Sequence, residues 1–143
     1  MNNTMALRFK AIPINESFAR SVVASFIVPC DPTLDVLNDI RTSVSEAVTN
    51  CIVHAYTNSS IGDVLIEGTI ADNILTLTIS DYGKGIVNVE QAMEDFFTTK
   101  DGEERSGLGF TIMRTFMDTI EVVSENGAGT TVTMTKKLCN ALR

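Results

Sequence analysis

The chain has 143 residues, enough for one domain of common size, with 44% of them hydrophobic and able to build a core. Eighteen acidic against eleven basic residues give a net charge of −7, which excludes the basic face of a nucleic-acid binder but not a small anion held by a few placed groups. Three cysteines, far apart and without a C-x-x-C, exclude a disulfide framework or zinc site, and no apolar run is long enough to span a bilayer.

The N-terminus shows no basic stretch leading into an apolar run, so the chain reads as soluble and cytoplasmic, without a membrane or a direct nucleic-acid partner. Met5 to Ile12 sets Leu7 and Phe9 against Arg8 and Lys10 in alternation and predicts a strand. Asn15 to Val28 carries Phe18, Val22, Val23 and Phe26 at helical spacing. After the break at Pro29-Cys30-Asp31-Pro32, Asp31 is the expected N-cap of a second helix running from about Thr33 to about Asn58. Gly62 to Ile70 and Ile74 to Ser80 are rich in Val, Ile, Leu and Thr and flank the polar turn Ala71-Asp72-Asn73, which predicts a hairpin.

The stretch from Ile86 to Ser106 has no firm period, holds a short helix near Val89–Phe96, and reads as a lid. Gly107 to Met117 predicts a helix with Leu108, Ile112, Met113 and Phe116 inward. Thr119 to Ser124 and Gly129 to Lys136 close the chain as a hairpin around Glu125-Asn126-Gly127-Ala128. There is no internal repeat and no linker, so residues 1–143 are expected to form a single domain. Hairpins outnumber crossovers. The order therefore predicts an α+β fold, a two-layer α/β sandwich whose mixed, mostly antiparallel sheet carries helices on one face.

Four groups of residues stand out. On the second helix Glu46 and Asn50 are an i, i+4 pair at one edge of the apolar stripe Leu37, Ile40, Val44, Ala47, Cys51 and Ala55, and His54 continues their line. Asp81-Tyr82-Gly83-Lys84-Gly85 follows a strand. Arg105-Ser106-Gly107-Leu108-Gly109 enters a helix, whose N-terminal N–H groups and dipole favour an anion that glycines let come close. Gly127-Ala128-Gly129-Thr130 opens the last strand. Singly, each has a plain reading: a solvated helix edge, a strand-end turn, a loop before a helix, a β-forming threonine.

Together and in this order they resemble the N, G1 and G2 boxes and the closing threonine of the GHKL superfamily, shared by gyrase, a heat-shock chaperone, histidine kinases and a mismatch-repair ATPase. The likeness runs roughly from Leu34 to Thr135. The lid run Phe97-Thr98-Thr99-Lys100 and the following Arg105-Ser106-Gly107-Leu108-Gly109-Phe110 narrow it to the anti-sigma factor serine kinases, of the anti-sigma F type of spore-forming bacteria. The resemblance implies a Bergerat-type ATP-binding fold, ATP and Mg²⁺ as cofactors, a homodimer, a sporulation sigma factor as the sequestered partner, and phosphorylation of a serine on an anti-anti-sigma protein.

Roles follow from that resemblance and from chemistry. Asn50 offers an amide oxygen to Mg²⁺, which keeps most of its waters and needs few protein ligands. Glu46 is the expected catalytic base, taking a proton from the attacking hydroxyl. Asp81 is expected to accept from the adenine amino group, with Gly83 and Gly85 letting the backbone pass close to base and sugar and Thr130 as a second contact. Gly107, Leu108 and Gly109 are expected at the phosphates, with Arg105, Ser106 and Lys100 supplying cations and a hydroxyl. Arg20 is the expected partner contact. Two other readings stay open: an ATP-gated sigma-binding switch without significant catalysis, and a related stress-response anti-sigma kinase. The catalytic piece of a histidine kinase is disfavoured, since the only histidine lies inside the N-box helix.

Overall fold

The computed structural model describes residues 2–56, 62–94 and 109–139. Among these described residues, five strands and four α-helices follow in the order β1 (Asn3–Lys10), α1 (Ile14–Ile27), α2 (Leu34–Asn50), β2 (Asp63–Ala71), β3 (Ile74–Asp81), α3 (Val89–Ala92), α4 (Gly109–Phe116), β4 (Thr119–Glu125) and β5 (Gly129–Lys137). The strands form one sheet in the order β1-β2-β3-β5-β4, and every pairing is antiparallel. The expected parallel component is therefore absent among the described strands. The α+β architecture stands.

Alternation decides which face is covered. Val64, Ile66 and Ile70 on β2, Leu75, Leu77 and Ile79 on β3, and Val132 and Met134 on β5 are buried. The intervening positions carry Thr76, Thr78 and Ser80 opposite Thr135, Thr133 and Thr131, which form the more open face. The core is completed by Ile40, Val44, Ala47 and Val48 of α2, Ala19, Val23 and Ile27 of α1, and Met113 of α4. α2 packs against both α1 and α4 and forms the middle of the helical layer. Phe18, one of the residues suggesting the α1 stripe, is 48% exposed and meets Phe9 edge-on.

Two local expectations change. The cap of α2 is Thr33, whose hydroxyl accepts from Val36 N at 3.2 Å in extended backbone, as an N-cap requires. Asp31 is instead the left-handed C-cap of a 3₁₀ turn over Val28–Cys30 (φ 56°). At its other end α2 passes at Asn50 into a π-helical turn, Cys51–Ala55, and Tyr56 is extended, so the helix stops short of the expected Asn58. The short lid helix is the single turn Val89–Ala92, capped by Asn88 Oδ1 on Gln91 N. The helix ends at Ala92 with Met93 as its C-cap, short of the expected run to Phe96, whose residues 95–96, like the expected helix start at Gly107, lie outside the described residues.

Candidate functional site

Asp81 is the fourth inward position of β3, after Leu75, Leu77 and Ile79. The alternation that buries those three also buries Asp81, a residue only 7% exposed. A buried carboxyl requires partners. Oδ1 accepts from Gly83 N at 3.0 Å and from Thr130 N at 3.3 Å, the latter across the β3–β5 pair. Burial pushes the Asp81 pKa up from its ordinary value, while the two N–H donors and the neighbouring Cys51 thiol pull it back. For Cys51, burial, then the charge of Asp81 and a hydrogen bond to it, push the pKa well above the ordinary thiol value.

Beyond Asp81 the chain runs tightly against two other segments. Lys84 N donates to Ala55 O at 2.8 Å, Gly127 N donates to Lys84 O at 2.6 Å, and Ile86 N donates to Ser124 Oγ at 2.6 Å. A Cβ at Gly83 would collide with the Ala55 carbonyl, and one at Gly85 (φ 77°) with the Glu125 carbonyl. The glycines are thus required by close approach to the chain's own backbone. The consequence is a loop moulded between the end of α2 and the β4–β5 turn. Tyr56 reinforces the seam, donating to Asp63 O at 2.7 Å and accepting from Tyr82 N at 2.8 Å.

These segments enclose a cleft of about 290 Å³, at the small end of the range for small-molecule sites. Asn50, Asp81, Gly85, Gly109 and Thr130, five of the residues singled out in the sequence, line it together, and His54 does too. The walls are mainly apolar, with Ala47, Ile79 and Val132 from the core side and Ile86 and Phe110 from the loop and α4. Gly83 supports the cleft from behind through Asp81. Glu46 does not line it. One turn before Asn50, it lines an adjoining groove with Arg20, Asn38, Arg41, Thr42 and Ser45. In that groove Ser45 Oγ donates to Glu16, whose other carboxylate oxygen lies 3.8 Å from Arg20. Lys100, Arg105, Ser106, Gly107 and Leu108 lie outside the described residues.

Other lining residues had been given no role in a site from the sequence. Asn88 and Gln91 come from the lid helix, Asn126 from the β4–β5 turn and Cys51 from the α2 stripe. Cys51 was read only as a member of the apolar stripe, and its place next to Asn50 at the stripe's edge is the signal that puts it in the cleft. The lid and turn residues carry no periodic signal.

Comparison with known proteins matches residues 9–136 to the histidine kinase-like ATPase domain. The chain is 56% identical over 135 residues to an anti-sigma F factor of Caldanaerobacter subterraneus, covering 94% of each chain. It is 54% identical to an anti-sigma F factor of Bacillus licheniformis, over 96% of this chain and 94% of that one, and 51% identical to one of Clostridium beijerinckii, over 95% of each. Among solved structures, one holding the RsbU and RsbW domains of a Mycobacterium tuberculosis protein aligns with a TM-score of 0.70 at 16% identity, over 95% of this chain and 32% of that one. A mycobacterial sensor histidine kinase, MprB, aligns with a TM-score of 0.57 at 16% identity, over 92% of this chain and 97% of that one. At those identities the structures speak for the fold alone.

Proposed function

The chain belongs to the anti-sigma F factor family, with a histidine kinase-like ATPase domain, and from that premise we propose that residues 1–143 act as one ATP-dependent protein-serine kinase domain that also holds a sporulation sigma factor inactive. Its phosphoryl acceptor is a serine of an anti-anti-sigma protein, and its working form is a homodimer in the cytoplasm.

The observation that carries this reading is Asp81. A buried carboxylate at the floor of an apolar cleft, with Oδ1 engaged by two backbone N–H groups, retains capacity to accept from an exocyclic amine. Adenine offers that amine and guanine, at the same edge, offers a carbonyl. The apolar walls fit a purine face, and Thr130 is the second polar contact.

Asn50 lines the same cleft and would hold magnesium through its amide oxygen. When bound there, the metal would neutralise charge on the phosphates. Glu46, in the adjoining groove one helical turn away, is the base that takes the proton of the acceptor serine, so that the protein substrate approaches from the side of Arg20 and Arg41. Gly109 begins α4 at the cleft. The Arg105–Leu108 run, with Lys100, is assigned to the phosphates on its sequence alone, through a guanidinium fork, a hydroxyl and backbone N–H groups.

Calorimetric titration with ATP and GTP, with and without magnesium, tests the pocket. Magnesium-dependent, ATP-selective binding is expected, followed by transfer to a serine of the antagonist that Glu46→Ala removes while leaving ATP binding. Binding without transfer by the native chain would favour the ATP-gated switch. Absence of binding would overturn the nucleotide reading, and a monomeric mass in solution the homodimer.

A further inference from the structure

Ser124 lies on β4, outside the cleft lining, yet two of its three side-chain contacts are with residues that line it. Its Oγ accepts from Ile86 N at 2.6 Å, lies 2.8 Å from Thr130 Oγ1 and 3.1 Å from Gly129 O. Ser124 and Thr130 are directly paired across β4 and β5. Ile86 and Thr130 both line the cleft, on the loop and on the sheet. One side chain thus joins the two walls.

A hydroxyl has one hydrogen. Ser124 accepts from Ile86, so its own hydrogen points to Thr130 Oγ1 or to Gly129 O. The Thr130 distance is the usual one for O–H···O, and the Gly129 distance is longer than usual. With the Ser124 hydrogen on Thr130 Oγ1, the Thr130 hydrogen is released from the sheet. Its backbone N–H is already committed to Asp81 Oδ1.

We propose that Ser124 is a positioning residue of the base site: it fixes the Thr130 hydroxyl as a hydrogen-bond donor toward the cleft and ties the 84–88 loop to that setting. This rests on the nucleotide reading above. Asp81 then supplies an acceptor and Thr130 a donor, side by side. Adenine presents the complementary pair, an amino hydrogen beside an unprotonated ring nitrogen. Guanine presents a carbonyl beside a protonated ring nitrogen, the reverse at both positions. Ser124 therefore contributes to choosing the base without touching it.

The test is a double-mutant cycle in the full chain, with ATP and GTP affinities read by competition against a fluorescent ATP analogue, and folding checked by thermal melts. Loss of the loop tether alone weakens both nucleotides alike. Loss of the Thr130 setting changes their ratio. Ser124→Ala is expected to reduce the preference for ATP over GTP by about fivefold, the equivalent of one neutral hydrogen bond. Thr130→Val should reduce it similarly, the double variant no further, and Ser124→Thr, which keeps the hydroxyl, should restore it. An unchanged ratio in folded Ser124→Ala, or losses that add in full in the double variant, would overturn the proposal while leaving ATP binding by the native chain, and with it the nucleotide reading, intact. Failure of the native chain to bind ATP would overturn both.

Discussion

Asp81 and Thr130 are joined twice, as facing residues of the β3–β5 ladder and through the 3.3 Å bond from Thr130 N to Asp81 Oδ1. The strand that delivers the carboxyl to the cleft thus also fixes the strand that delivers the hydroxyl. The arrangement has a consequence for stability. Burial raises the pKa of Asp81 in the folded chain. A carboxyl shifted in that direction contributes stability in full below its unfolded pKa, and the contribution is lost as pH rises through the folded value. At neutral pH the charged Asp81 therefore weighs against the fold.

Asp81→Asn retains an oxygen for Gly83 and Thr130 and removes the charge. It is expected to melt higher than the native chain at neutral pH, with the gap closing as pH falls below the carboxylate range. Its ATP affinity should drop by about a hundredfold, as for loss of a hydrogen bond to a charged group. Thermal melts across pH and a titration with ATP check the two halves. A variant that melts lower at neutral pH would show that the carboxylate is a net stabiliser.

Glu46 and Asn50 face different spaces, the groove and the cleft, although one helical turn separates them. Glu46→Gln keeps the shape and removes the carboxylate proposed as the base. Phosphoryl transfer should fall by about 10²–10⁴-fold, with ATP affinity unchanged within about twofold. An affinity loss as large as the rate loss would reassign Glu46 to holding the nucleotide.

Much of this site was legible because alternation and helical periodicity are local. The stripe from Ile40 through Cys51 put Asn50 at its edge, and the alternation of Leu75, Leu77 and Ile79, carried one step past the expected strand end at Ser80, is what places Asp81 on the core face. What was not legible is non-local. The α2 helix gives way to a π-helical turn, where the Ala55 carbonyl accepts from Lys84 N, a residue across the β2–β3 hairpin. Nothing within Cys51–Ala55 announces that bond. Asp31 and Thr33 are both good caps by residue type, and only the left-handed backbone of Asp31 decides between them. Ser124 is one serine on a strand, without a pattern to mark it.

Lys136 tests how the helical layer is fastened to the sheet. Its side chain is 14% exposed. Its Nζ donates to Asp39 Oδ2 at 3.3 Å and to the carbonyl of Phe116, the last residue of α4, at 2.5 Å, with Asp118 Oδ1 at 3.8 Å. A cation there complements the C-terminal end of α4 and bridges to α2. Lys136→Met keeps the stem and loses these bonds. Urea unfolding should show a loss of about 2 kcal/mol at unchanged slope. Adding Asp39→Asn should then cost less than it does alone, since the two residues share an interaction.

Cys51 gives a readout of the cleft floor itself. It is 4% exposed, against half-buried positions for Cys30 and Cys139. Its raised pKa keeps it protonated, and the thiolate is the reactive form. Cys139 carries a further restraint, with its Sγ 2.9 Å from Asn73 Oδ1. An aromatic disulfide reagent at neutral pH should therefore modify Cys30 first and Cys139 more slowly, and reach Cys51 only as the chain unfolds. The rate at Cys51 should follow global stability through a urea series. Fast modification in the native chain, insensitive to low urea, would instead mean that the π-helical turn opens locally, exposing the floor beside Asp81 without unfolding the sheet.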